Sequence, residues 1–311
     1  MKIYIKIFIL ICCILFLLQY LYLWFYENFN CGKIMYDDIL IKNKYSKNFV
    51  TKKLPYALII GVRKGGTRAL LDALSLHPMI KIARHELHFF DNNETYLKGI
   101  NWYTNQMPLT KVNQIVIEKT PAYFTSPYAA KRIFKFNSNI KILLILRNPT
   151  TRTISDFTQV YYTRKSKNLS LPELEKEAFY SGTEKINVNY KPIRNSLYSI
   201  HLFNYLKYFK KNQILIINGD NFIKNPLNEL KKVQKFLHLP QMIHSQQLVF
   251  NSDKGFYCFK KEEKAKVKCL GNSKGRKHVN VSMKTIKLLK KNFKQYNYEL
   301  KKLFKDFNFH W

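Results

Sequence analysis

The chain has 311 residues, with 53 Lys and Arg against 20 Asp and Glu, a formal net charge of +33. That length leaves room for an amino-terminal segment and one large domain, and an apolar content of 46% without long low-complexity runs excludes a disordered chain. The charge attracts polyanions (nucleic acid, anionic lipid or sulfated sugar) without identifying one, since an AT-biased genome would also enrich Lys with Asn, Ile, Tyr and Phe.

Residues 1–6 carry Lys2 and Lys6, and 7–26 are apolar apart from Gln19. About 20 apolar residues suffice to span a bilayer as a helix. A secretory signal peptide has a shorter core and a small-residue cleavage site. Here Trp24, Phe25 and Tyr26 stand where that site would be, and they suit an interfacial belt. Lysines precede the run and none follows until Lys33, which predicts a cytosolic tail over 1–6, a type II transmembrane signal anchor over 7–26 and a lumenal remainder. The polar stretch 27–53 reads as a stem, and 54–311 as the folded domain. Sequons at Asn93, Asn168 and Asn280 agree with a lumenal domain.

From there strands and helices alternate. The run 57–62 reads as a buried strand ending near a glycine. Helical spacing follows over 67–76, closed by Pro78. Further strands are predicted at 115–117, 140–146 and 214–217. Helices are predicted at 129–136, 151–162, 197–209, 226–239 and 283–307. The alternation implies an α/β fold: a P-loop-like parallel sheet flanked by helices on both faces, forming a single catalytic domain. Ligands of such sheets bind beyond the carboxyl ends of the strands.

Five motifs fall at those ends or in the loops near them. Gly61-Val-Arg63-Lys64-Gly65-Gly66-Thr67-Arg68 joins a strand to a helix. Its glycines allow a tight turn, and the helix start offers free N–H groups to an anion. The spacing between Gly61 and Gly66 is that of a nucleotide triphosphatase loop, but Thr67-Arg68 replaces the Lys-Ser/Thr pair, so no magnesium arrangement is expected. Arg147 is the first charge after the most apolar strand, and Ser155 lies about two helical turns further on. Glu86-Leu-His88-Phe-Phe-Asp91 alternates titratable and bulky residues; an extended segment would put Glu86 and His88 on one face. Such a carboxylate near cations is a candidate general base. Lys119 follows the second predicted strand. Tyr257 and Cys258 precede Cys269, Lys274, Gly275, Arg276, Lys277 and His278. Cys258 and Cys269 would be free thiols in a reducing compartment and a closed loop in an oxidising one.

These motifs, with Glu118-Lys-Thr-Pro-Ala-Tyr-Phe124, Ser155-Asp156, Gln159-Val and Ser273-Lys-Gly-Arg276, resemble those of the heparan sulfate glucosamine 3-O-sulfotransferases, in the same order over 55–310. Asn148 departs from the commoner Asp of that family, and Arg84-His85 from its acidic or polar residues. N-deacetylase/N-sulfotransferases build their first loop on Lys-Thr-Gly-Thr-Thr and carry a further domain. The resemblance implies a Golgi membrane enzyme that uses 3′-phosphoadenosine 5′-phosphosulfate as donor, requires no metal, and acts on heparan sulfate; the anchor and the sequons argue against nucleic acid as partner. It implies that residues 63–68 hold the 5′-phosphosulfate. Arg147 and Ser155 would hold the 3′-phosphate, with Tyr257 and 274–278 closing over it and Cys258 joined to Cys269. Glu86 would be the base, His88 and Asp91 its supports, and Lys64 the stabiliser of the leaving oxygen. Arg68, Lys119, Gln159 and Arg276 would grip the acceptor. The alternatives are N- or other O-sulfation of glycosaminoglycans, or an inactive heparin-binding protein.

Overall fold

The structure, a computed structural model, describes residues 17–19, 21, 49–262, 265–271, 275–304 and 311. Leu17–Gln19 and Leu21 are exposed and helical. The rest of the expected anchor, most of the stem, and Lys274 lie outside the described residues. Among the described residues, no helix is long and apolar enough to cross a membrane.

Strands form where β-branched and leucine runs can be buried on both faces. β1 (Ala57–Gly61) is buried along its whole length. β2 (Ile80–Ile82), β3 (Ile115–Lys119), β4 (Lys141–Leu146) and β5 (Ile214–Asn218) complete a five-stranded sheet in the order β2-β3-β1-β4-β5. Every pairing in it is parallel. The sequence predicts four of these strands. β2 escaped because it is only three residues long and carries the exposed Lys81 in its middle.

The two-residue period of a strand sends alternate side chains to opposite faces. Leu58, Ile60, Ile142 and Leu144 pack under Tyr103, Tyr123, Phe124 and Tyr205. Ala57, Ile59, Leu143 and Ile145 pack under Leu70, Leu71, Leu74, Leu230 and Val233. Each such buried Leu or Ile contributes about 1.5–3 kcal/mol. A third core joins the helices Pro149–Lys165 and Met283–Leu303 through Ile154, Phe157, Leu289 and Phe293.

Helix ends differ from expectation by a turn or less. Thr67–Leu74 stops at Ser75, whose hydroxyl donates to the Asp72 carbonyl at 2.7 Å. The helix expected at 151–162 starts earlier, at Pro149, and runs to Lys165. Its cap is Asn148, whose side-chain oxygen accepts from Thr150 N at 3.0 Å and Thr151 N at 3.3 Å. Asp and Asn cap equally well, so the departure at 148 costs the fold nothing. The short helices Asn93–Leu97, Gly99–Asn105 and Gly219–Lys224 were not foreseen. Nor was the antiparallel hairpin of β6 (Leu248–Asn251) and β7 (Phe256–Phe259). Cys258 on β7 forms a disulfide with Cys269.

Candidate active site

The carboxyl ends of β1, β3 and β4 open into a cleft of about 820 Å³. The first wall is the β1-to-helix loop. Lys64 (φ 67°) and Gly66 (φ 108°) both occupy the left-handed region, which is uncommon for a residue with a side chain. A Cβ on Gly65 would stand 2.7 Å from the Ile145 carbonyl oxygen, so the loop lies flat on β4 only because that residue is glycine. The turn delivers Arg63, Lys64, Gly66, Thr67 and Arg68 to the cleft, with the helix N-terminus behind them. Gly65 supports the loop from beneath.

Carboxylates fix these cations. Arg63 Nε donates to Asp156 Oδ1 at 2.8 Å. Asp156 is nearly buried and also receives Arg152 Nη1 at 2.8 Å. Arg152 is wholly buried and bonds Ser196 Oγ at 2.6 Å, the Arg63 carbonyl at 3.2 Å and the Pro192 carbonyl. Burial pushes the Asp156 carboxyl up, but the charges of Arg152 and Arg63 outweigh it and hold the group below the usual carboxylate range. Arg147 Nε donates to Asp220 Oδ1 at 3.2 Å, and Asn148 N to Asp220 Oδ2 at 2.6 Å. Ser155 and Arg147 line the cleft together. Lys64 Nζ lies 3.3 Å from Gln159 Oε1.

The opposite wall carries Glu86 and His88. The segment is not a regular strand, since His88 has φ 51°. That bend nevertheless places His88 Nε2 3.8 Å from Glu86 Oε2, while His88 Nδ1 bonds Asp91 Oδ2 at 2.9 Å. Asp91 sits behind His88, outside the cleft lining. Glu86 faces the cleft, with 42% of its side chain exposed. Its other oxygen is paired with the ammonium of Lys119, which is only 5% exposed. Lys119 thus has a partner inside the protein that its expected grip on an acceptor did not anticipate. Arg68 likewise bonds Asp72 at 3.0 Å and the Arg84 carbonyl at 3.0 Å.

Tyr257, Gly275, Arg276 and His278 close the third side, and Lys277 is not among the residues that line it. Arg276 stacks on the Tyr162 ring at 4.7 Å. Burial pushes the His278 imidazole below its ordinary value, and the charges of Arg147 and Lys64 push it further. Among the described residues no cluster of three or more His, Cys, Asp or Glu could hold a metal ion.

Sequence reasoning missed Arg152 and Asp220, and it placed Glu118 and Asp156 in motifs without giving either a role. The pair Arg152 and Asp156, four apart on one helix, was a readable signal. Asp220 was not readable, because the fold alone brings it to Asn148 across 72 positions.

A cation-lined glycine cradle facing a carboxylate across a strand-edge cleft defines a transferase of an anionic group. The Sulfotransferase domain family matches residues 54–304. Human heparan sulfate glucosamine 3-O-sulfotransferase 5 is 48% identical over 248 residues, covering 80% of this chain and 71% of that protein. The human 3-O-sulfotransferase 6 is 38% identical, covering 79% and 70%. The chain therefore belongs to the heparan sulfate glucosamine 3-O-sulfotransferase family. A crystal structure of a sulfotransferase from Alicyclobacillus acidocaldarius shares the fold, with a TM-score of 0.51 and 21% identity over 65% of this chain and 88% of that one.

Proposed function

We propose that this protein transfers a sulfuryl group from 3′-phosphoadenosine 5′-phosphosulfate to the 3-hydroxyl of glucosamine residues in heparan sulfate. The observation that carries the reading is the placement of the Lys64 loop and of Glu86 on facing walls of one cleft. Residues 63–68 would hold the 5′-phosphosulfate, and Arg147 and Ser155 the 3′-phosphate. Tyr257, Gly275, Arg276 and His278 would close over the nucleotide.

Glu86 takes the proton of the acceptor hydroxyl as that oxygen forms a bond to sulfur. The bond from sulfur to the bridging phosphate oxygen breaks, and that oxygen leaves with the electron pair. Lys64 stabilises the charge that develops on it, a fixed electrostatic contribution that needs no rearrangement. Lys119 holds one Glu86 oxygen still, and the Asp91–His88 pair stands beside the other. Gln159, Arg68 and Arg276 would grip the sulfates and carboxylates of the acceptor chain.

The domain is proposed to be lumenal, on a type II Golgi anchor over 7–26 with a stem over 27–53. The exposure of Asn93, Asn168 and Asn280, the disulfide and the long apolar run support that placement. Labelled sulfate transferred to defined heparan oligosaccharides, with the product position determined, tests the reaction. The expected label is on the glucosamine 3-oxygen. Label on nitrogen or on another oxygen would reassign the enzyme, and absent transfer with retained heparin binding would make it a binding protein.

A further inference from the structure

Glu118 is the residue before Lys119 on β3, and it is wholly buried. Its oxygens are surrounded by hydroxyls. Thr120 Oγ1 donates to Glu118 Oε1 at 2.5 Å, and Tyr103 donates to Oε2 at 3.3 Å. The Tyr123 hydroxyl stands near the same carboxyl. The Thr120 and Tyr123 hydroxyls hold the backbone of the loop that carries Glu86 and His88. Leu87 N donates to Thr120 Oγ1 at 3.1 Å, and Phe89 N donates to the Tyr123 hydroxyl at 3.1 Å.

The direction of these bonds matters. A hydroxyl has one proton. While that proton points at a carboxylate, the lone pairs face away, ready for a backbone N–H. The acceptor-only Glu118 therefore sets the polarity of the Thr120 chain, from carboxylate to hydroxyl to Leu87 N. With Lys119 on the Glu86 side chain, the end of β3 grips the loop at three successive places: Glu86, Leu87 and Phe89.

Resting on the catalytic reading of Glu86, we propose that Glu118 is a positioning residue: its buried carboxylate orients the Thr120 hydroxyl that, beside Tyr123, holds the Glu86–Phe89 backbone at the reacting position. Protonation is the natural way to release this hold. A carboxylic acid has lost its negative charge and one acceptor place, so the pull that turns the Thr120 proton toward Glu118 and its lone pair toward Leu87 N weakens. Burial pushes the Glu118 carboxyl up to about 7, against the pull of the Thr120, Tyr123 and Tyr103 hydroxyls and of Lys119. The groups facing it are Thr120 and Lys119 beside it in the chain, Tyr103 from the helix Gly99–Asn105, and Tyr123 from the turn Pro121–Thr125.

The test is steady-state transfer by the purified chain from the phosphosulfate donor to one defined heparan oligosaccharide, followed from mildly acidic to mildly basic pH. Glu118→Gln is expected to fold, to keep its donor KM, to lose roughly 10- to 100-fold in kcat through misplacement of the base, and to lose the acid-side fall of kcat near neutrality. A folded Glu118→Gln with wild-type kcat and an unchanged pH profile would overturn the proposal. Should that variant not fold, Thr120→Val carries the test: it cuts the link to Leu87, a lower kcat at constant donor KM supports the proposal, and an unchanged kcat overturns it. Glu86→Gln is measured in parallel. If it transfers normally, the catalytic reading itself has failed; if it is inactive while Glu118→Gln is normal, only the positioning role has failed.

Discussion

On the donor side of the cleft, cations rest on carboxylates: Arg63 on Asp156, Arg147 on Asp220, Arg68 on Asp72. On the acceptor side the arrangement is inverted. The carboxylate Glu86 rests on Lys119, and its loop hangs from the hydroxyls of Thr120 and Tyr123. The donor side is mounted on strand ends and helix starts, so its charges are set before any ligand arrives. The acceptor side is an irregular loop with His88 in the left-handed region, and its geometry depends on residues beneath it. Apart from Lys64, which meets the leaving oxygen itself, the first half should therefore fail by losing stability or donor affinity, and the second by losing turnover.

That contrast can be broken at four points. Arg152→Met should have the largest effect: it leaves Asp156 buried with Arg63 as its remaining cation, which costs on the order of 3–5 kcal/mol, measured by denaturant unfolding. Lys64→Ala removes the charge at the leaving oxygen and should lower kcat by about 10²- to 10³-fold in a stably folded protein. Asp220→Asn frees Arg147 from its charged partner, and the donor KM should rise roughly tenfold with kcat little changed. An equal fall in kcat would mean that Arg147 acts in the transition state instead.

The smallest effect is on pH dependence of stability. The Glu118 carboxyl is raised from 4.5 to about 7 in the folded state. Between those values the native state binds more protons than the unfolded one, so this group's stabilisation is full below about 4.5 and lost as pH rises through about 7. Melting of the wild type minus that of Glu118→Gln should follow this trend; a flat difference would contradict it. Asp156 works in the opposite sense. Its lowered value means stabilisation that is present above the ordinary carboxylate range and lost as acid protonates it.

The donor half was legible in the sequence because its signals are local. Residues 61–68 encode a turn, a cradle and a helix start in one run, and Arg147 follows a strand too apolar to mistake. The acceptor half was legible only as a motif. The spacing of Glu86 and His88 suggested a shared strand face, whereas a positive φ at His88 brings the two side chains together by another route. Lys119 could be placed at the sheet edge, but its pairing with Glu86 arises from packing between segments 33 positions apart. The hairpin of β6 and β7 was hidden because its strands are short and half-exposed, without a clear alternation.

The account stands on Glu86 as the base that meets the donor across the cleft. Glu86→Gln, assayed for nucleotide-donor binding and for sulfate transfer to the same oligosaccharide, tests that most directly. Wild-type donor affinity with transfer reduced by about 10²-fold or more is the predicted outcome. Transfer close to the wild-type rate would contradict it.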